Sequence, residues 1–157
     1  MKRIFLTLIA LSLLFCACGR NTNTPDITTV SNKILNALES KDNLTLADDD
    51  FLENNLSSDD FIDDCKIYIG DNKEIGILKL EENASKTTAE RSLMEYLSNE
   101  ASSISSLMTL YPSEALTEKL GRYQNATIVQ KGRYICYFVL PEAEAAKAKS
   151  AFFEAFS

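Results

Sequence analysis

Histidine and tryptophan are absent from this 157-residue chain, and glycine and proline are scarce, at five and three residues. Without histidine, the chain cannot build a Ser-His-Asp triad, a Cys-His pair or a zinc site that depends on imidazole. Basic residues are also in deficit, because 16 Lys and Arg face 23 Asp and Glu and leave a net charge of −7. Nucleic-acid binding needs a basic face, so we expect no nucleic-acid partner.

The N-terminus has the pattern of an export signal. Lys2 and Arg3 form a short basic start, and residues 4–15 form an apolar run of twelve that only Thr7 and Ser12 interrupt. Such a run is typical of a secretory signal and is shorter than the roughly 20 residues that span a membrane. We therefore predict a signal peptide over residues 1–17.

The residues that follow, Ala17-Cys18-Gly19, resemble the lipobox of bacterial lipoproteins. Cys16 fits this pattern less well, because bulky Phe15 precedes it. The resemblance implies cleavage before Cys18, diacylation (palmitate-type lipidation) of its sulfur, and anchoring on the extracytoplasmic side of the cell membrane. An ordinary cleaved signal or a buried apolar N-terminal helix are the alternatives. Residues 18–25 are polar and are expected to form a flexible tether. Losing Lys2 and Arg3 would leave 14 basic residues against 23 acidic ones, a side-chain charge of −9.

Two further cysteines, Cys65 and Cys136, lie in apolar segments typical of strands. An exported protein can pair two such residues in a disulfide, or they can be two buried thiols. The chain after Cys18 has no CxxC pair, and the acidic segment 48–64 lacks the spacing of a calcium-binding loop. We therefore expect neither a metal nor a cofactor.

Hydrophobic periodicity predicts four helices and four strands. A first helix begins at Pro25 with Thr24 as its cap, the longest helix covers 84–111, a short helix covers 113–120 and stops at Gly121, and a last helix begins at Pro141. The predicted strands form two hairpins, 65–69 with 74–81 and 126–130 with 133–140.

This element order indicates a single α+β domain over residues 26–157, which is long enough to bury a real core. We predict a two-layer sandwich: a four-stranded antiparallel sheet, with the long helix between the hairpins and the terminal helices all on one face. Four residues of the long helix are expected to pack on that sheet: Leu93, Leu97, Ile104 and Leu107.

The C-terminal half and the signal architecture resemble a family of uncharacterised bacterial lipoproteins, the domain of unknown function 4358. The shared features are the strand EIGILKL, the helix end at Tyr111-Pro112 and the strand pair with Asn125, Ala126, Ile128, Val129, Gly132 and Tyr134. The resemblance implies a Gram-positive, Firmicutes-like cell-envelope lipoprotein and carries no activity with it.

No nucleophile motif, phosphate loop or metal-binding motif occurs, so we predict no catalytic residue and a binding or scaffolding role. The partner would be a protein, a peptide or a wall fragment, besides the membrane reached through Cys18. The alternative is a small extracytoplasmic enzyme or enzyme inhibitor acting on wall or peptide substrates. Tyr111, Tyr123 and Tyr134 are a candidate ligand face, although tyrosines in such positions also serve as core residues.

Overall fold

The computed structural model describes residues 24–39, 41–48, 51, 55 and 61–157. The predicted signal peptide, the predicted lipidation site Cys18 and most of the tether lie outside the described residues. Within them, no helix has both the length and the apolar character needed to cross a membrane.

Five antiparallel strands form one sheet in the order β1-β2-β3-β5-β4. The two predicted hairpins are β2–β3 and β4–β5, and Gly132, at φ 60°, makes the tight turn of the second one. The described helices and strands are α1 Ile27–Asn36, β1 Thr45–Leu46, β2 Ile62–Gly70, β3 Lys73–Leu80, α2 Lys86–Leu110, α3 Glu114–Gln124, β4 Thr127–Lys131, β5 Tyr134–Val139 and α4 Glu142–Glu154.

The α+β class and both hairpins are confirmed, and the short strand β1 adds a fifth member to the predicted four. The helices, however, cover both faces of the sheet, which corrects the two-layer arrangement. One core joins the sheet to α1 and α4, and a separate core joins it to α2 and α3. The reason lies in β5, whose six residues are all buried, so that it needs a cover on each side.

Successive side chains of β5 point to opposite faces of the sheet and so contribute to the two cores in turn. Tyr134, Cys136 and Phe138 point to the side of α1 and α4, which we call the α1/α4 face. Ile135, Tyr137 and Val139 point to the other side, the α2/α3 face. Both sets are apolar enough to require burial, which is the pattern of a strand inside a three-layer domain.

The helix boundaries that differ most from the prediction are the start of α1, at Ile27 and not Pro25, and the end of α3. Asp26, and not Thr24, caps α1, because its carboxylate accepts a hydrogen bond from the Thr29 backbone N–H at 2.9 Å. The helix α3 runs through Gly121 to Gln124. Asn125 ends it there, and its side-chain amide donates to the Gly121 carbonyl at 2.8 Å. The last turn also bonds outside the helix, because Arg122 donates to the Asn72 carbonyl at 2.8 Å and Tyr123 donates to Glu74, and these tertiary contacts override the stop signal of glycine.

The last turns of α2 pass beyond the sheet. Its 25 residues extend about 37 Å, whereas the eight residues of β3 extend about 26 Å. Leu93, Leu97 and Ile104 pack in the core as predicted, but Leu107 is 48% exposed, which corrects its predicted place against the sheet.

Cys65 and Cys136 do not form a disulfide with each other. Cys65 contributes to the core of the α2/α3 face, and Cys136 belongs to the α1/α4 face. Their strands, β2 and β5, are moreover separated by β3. Burial raises the pKa of the Cys136 thiol well above its ordinary value, so it behaves as a small hydrophobic side chain.

Candidate functional site

A buried carboxylate is the most polar feature of the interior. Glu74, at the start of β3, is 2% exposed and lies on the α2/α3 face. Tyr96 of α2 donates a hydrogen bond to Glu74 Oε1 at 2.8 Å, and Tyr123 of α3 donates to Oε2 at 2.6 Å. Tyr137 of β5 donates a third hydrogen bond, to Oε1. We call these four residues the Glu74 cluster.

Gly76 makes room for this cluster. It lies directly opposite Tyr137 in the β3–β5 register, and a Cβ atom at Gly76 would lie 1.9 Å from Cε1 of the tyrosine ring. The ring therefore covers the glycine, and in this position the Tyr137 hydroxyl points along β3 toward Glu74. Tyr96 packs edge-on against the same ring, with 6.0 Å between ring centroids.

The tyrosines of the cluster hold their protons strongly. Burial, and next the charge of Glu74, raise the pKa values of Tyr96, Tyr123 and Tyr137 well above the ordinary value of 10. Three hydroxyls thus take the place of water around the carboxylate, and among the described residues no lysine or arginine pairs with Glu74.

The Glu74 cluster is closed to a ligand. Both carboxylate oxygens already accept hydrogen bonds, and Glu74 is almost inaccessible to solvent. Across the described chain, every buried polar side-chain atom has a hydrogen-bond partner. The cluster therefore joins β3, β5, α2 and α3 in one network, and it presents neither a general base nor a nucleophile to a substrate.

Beside the cluster lies an accessible groove of about 600 Å³, between α2 and the edge of the sheet that β4 forms. We call it the α2/β4 groove. Its helical wall is formed by Met94, Leu97, Ser98, Ala101, Ser102 and Ser105. Its other wall is formed by Tyr123, Gln124, Ala126 and Ile128. None of these residues is charged, although a quarter of the chain is. Tyr123 belongs both to this groove and to the Glu74 cluster.

The structure does not bring the predicted ligand face together. Tyr123 is buried on the α2/α3 face, Tyr134 is buried on the α1/α4 face, and Tyr111 is 70% exposed at the far end of α2. Tyr134 donates to the Pro25 carbonyl at 2.8 Å, and burial raises its pKa to about 12. The prediction is corrected because Tyr123 and Tyr134 lie on opposite sides of the sheet.

Sequence reasoning missed Glu74 as a functional residue. The segment EIGILKL predicts a strand that begins at Glu74, and nothing within the segment gives this residue a further role. One signal was available, because a glycine two residues after an acid in an apolar strand indicates a close approach by a large side chain. The three tyrosines come from three other elements, so no local pattern connects them.

The described residues contain no group of three or more His, Cys, Asp or Glu side chains that could hold a metal ion. Comparison with known protein families, curated proteins and solved structures finds no match to this chain. The features that bear on function are therefore the groove, the closed cluster and the N-terminal sequence.

Proposed function

We propose that this protein is a lipid-anchored binding module on the extracytoplasmic side of the cell membrane, and that the α2/β4 groove is its binding site. The observation that carries the proposal is the contrast between the Glu74 cluster and the neighbouring α2/β4 groove. The buried carboxylate of Glu74 is enclosed by three hydroxyls, whereas the groove beside it is open and no residue that lines it is charged. Concave, largely apolar sites with a few polar groups are typical ligand sites.

The anchor is proposed from the N-terminal sequence. The basic start, the apolar run and Ala17-Cys18-Gly19 support cleavage before Cys18 and its lipidation. Residues 18–25 reach at most about 29 Å when fully extended, which would hold the domain close to the membrane. Together with the C-terminal features named in the sequence analysis, the signal architecture is the ground for proposing membership of the family of uncharacterised lipoproteins.

The described chain enters the domain at one end of the sheet. At this end, the Pro25 carbonyl accepts a hydrogen bond from Tyr134, which is the first residue of β5. Gln130, near the last residue of β4, lies at the same end and donates a hydrogen bond to Glu90 in the first turns of α2. The helix α2 runs from this end toward the opposite one. The groove therefore opens along the side of the domain, where a partner in the envelope can reach it while the tether stays attached.

Site-specific photocrosslinking in cells tests the binding site. A photoreactive amino acid replaces Ser102, which lines the groove, or Ser103, which is also exposed on the same helix but lies outside the groove. We expect crosslinked products at position 102 that are absent at position 103. Equal products at both positions, or none at either, would contradict a ligand in this groove.

The anchor is tested separately by Cys18→Ala. We expect the variant to be released into the medium or to remain unprocessed, as judged by fractionation and by labelling with a radioactive fatty acid. A variant that fractionates and migrates like the natural protein would show that Cys18 carries no lipid.

A further inference from the structure

We infer that the α2/β4 groove binds an extended, uncharged polypeptide segment, which adds to the free edge of β4 as a sixth strand of the sheet. The inference rests on the proposed function, because it names the class of ligand for the same groove. It is carried by the difference between the two edges of the sheet, by the backbone pattern of β4 and by the composition of the helical wall.

The edge at β2 is protected against strand addition. The two-residue strand β1 pairs with the end of β2, and the Ala47 N–H donates to the outward-facing Ile67 carbonyl at 2.8 Å. A register irregularity lies between Ile62 and Asp64. Very short edge strands, bulges and charged side chains are the usual means by which proteins prevent pairing at a sheet edge.

The edge at β4 has neither a bulge nor a covering strand among the described residues, and it carries one charge. Its five residues pair regularly with β5, without a bulge or a proline, and Lys131 at the turn carries their single charge. Lys131 and Tyr134 flank a two-residue turn and exchange backbone hydrogen bonds, so the alternation directs the N–H and C=O groups of Ile128 and Gln130 away from β5. No described residue bonds these outward backbone groups. They offer the hydrogen-bonding pattern that an incoming strand requires.

The helical wall matches this edge in length. From Met94 to Ser105 the helix rises about 17 Å, which equals the length of a five-residue strand such as β4. A segment of about five residues would therefore contact the wall over its whole length. Known peptide-binding domains use the same combination, in which an open strand edge supplies the main-chain bonds and an adjoining surface selects side chains.

The charge pattern indicates which segment fits. A chain with a net charge of −7 would repel an acidic ligand and attract a basic one, yet no residue of the groove is charged. A charged side chain would lose water in this groove without gaining a partner there, which is costly. Apolar side chains can pack on Leu97 and Ile128, and small polar ones can reach the hydroxyls of Ser98 and Ser102.

The test selects ligands from a display library of random decapeptides on the purified full-length protein in detergent. We expect enriched peptides with few charged residues and alternating apolar positions. Hydrogen exchange then examines a selected peptide, which should slow exchange of the Ile128 and Gln130 amides at least tenfold. Exchange that is slowed only elsewhere, or a library from which nothing is enriched, would overturn strand addition at β4.

Two controls make the result specific. Methylating every second backbone nitrogen of the selected peptide should weaken binding more than tenfold in one register and much less in the other, because only alternate N–H groups face β4. Ser102→Arg should weaken binding at least tenfold, and the matched Ser103→Arg should leave it unchanged. Equal effects of the two registers, or of the two arginine variants, would overturn the inference.

The outcomes also separate this inference from the proposed function. A peptide that is displaced by Ser102→Arg but leaves the Ile128 and Gln130 amides unprotected would keep the groove as a binding site and overturn strand addition. A peptide that protects both amides while photocrosslinking in cells finds no partner at position 102 would support strand addition and contradict the proposed role in the envelope.

Discussion

The two faces of the sheet are held by different physical means, although they share β3 and β5. On the α1/α4 face the buried residues are apolar apart from Ser31, whose hydroxyl lies 2.6 Å from the Tyr68 hydroxyl. On the α2/α3 face the apolar core surrounds Glu74 and its three tyrosines. Apolar packing is non-directional, whereas the carboxylate fixes each hydroxyl at one place.

Two consecutive residues of β3 illustrate the difference. Lys73 points to the α1/α4 face and pairs with Glu144 of α4 at 2.9 Å, near the rim of the core. Glu74 points to the other face and binds α2 and α3 from within the core. The rim ion pair has access to solvent, and the buried cluster does not, so we expect the cluster to contribute far more to the position of its helices.

The largest expected effect that distinguishes the faces is alkaline unfolding. Below pH 10 both the folded and the unfolded chain keep the phenol protons of Tyr96, Tyr123 and Tyr137. Because burial raises their pKa values in the folded state, above pH 10 only the unfolded chain loses these protons. The free energy of unfolding should then fall by about 4 kcal/mol per pH unit from these three groups together.

Urea unfolding at a series of pH values, with tyrosinate absorbance as a second signal, checks this dependence. Tyr96→Phe should reduce the slope above pH 10 by about 1.4 kcal/mol per pH unit, because one titrating group is removed. An unchanged slope in that variant would show that the cluster does not control alkaline stability.

Removal of the carboxylate is expected to have the next largest effect. Glu74→Leu leaves three buried hydroxyls without their acceptor, and each such group costs about 1–3 kcal/mol, so the loss should be at least about 3 kcal/mol. Glu74→Gln keeps one acceptor oxygen and should lose about 1–3 kcal/mol. The midpoint of urea unfolding measures both, and a Leu variant as stable as the Gln variant would contradict the role of the hydroxyls.

A glycine pair tests the close packing on the α2/α3 face. Gly76→Ala places a Cβ atom 1.9 Å from the Tyr137 ring, which is itself hydrogen-bonded to Glu74, so we expect a loss of about 1–3 kcal/mol. Gly121→Ala is the control, because nothing lies within 4 Å of its Cβ position inside α3. That variant should gain up to about 1 kcal/mol from helix propensity. Thermal unfolding measures the stability of both variants. A similar change in stability for Gly76→Ala and Gly121→Ala would contradict the close contact.

Local patterns predicted the elements of this fold better than their assembly. Alternation in β2, together with the turn residues and spacing of the two hairpins, predicted β2 to β5, and the apolar stripe predicted α2, because these signals lie within short segments. Both sides of β5 are apolar, which indicates that helices must cover both faces of the sheet. The residues of β5 do not predict which helix covers which face. The Glu74 cluster was not predictable, since its hydroxyls meet only after α2, α3 and β5 have packed together.

Removal of single hydroxyls compares the faces directly, and on the α1/α4 face it should give the smallest loss of stability. Tyr123→Phe deletes a hydrogen bond to a carboxylate and should lower stability by about 1.5–3 kcal/mol. Tyr68→Phe deletes a bond between two neutral hydroxyls and should cost about 0.5–1.5 kcal/mol, because Ser31 lies in α1 and can turn its hydroxyl to a backbone carbonyl one turn earlier. Both changes keep the aromatic ring, so lost packing does not obscure the comparison. Urea unfolding of the two variants at pH 7 measures the difference, and a Tyr68→Phe loss equal to or larger than that of Tyr123→Phe would mean that the charge of Glu74 gives the α2/α3 face no added strength.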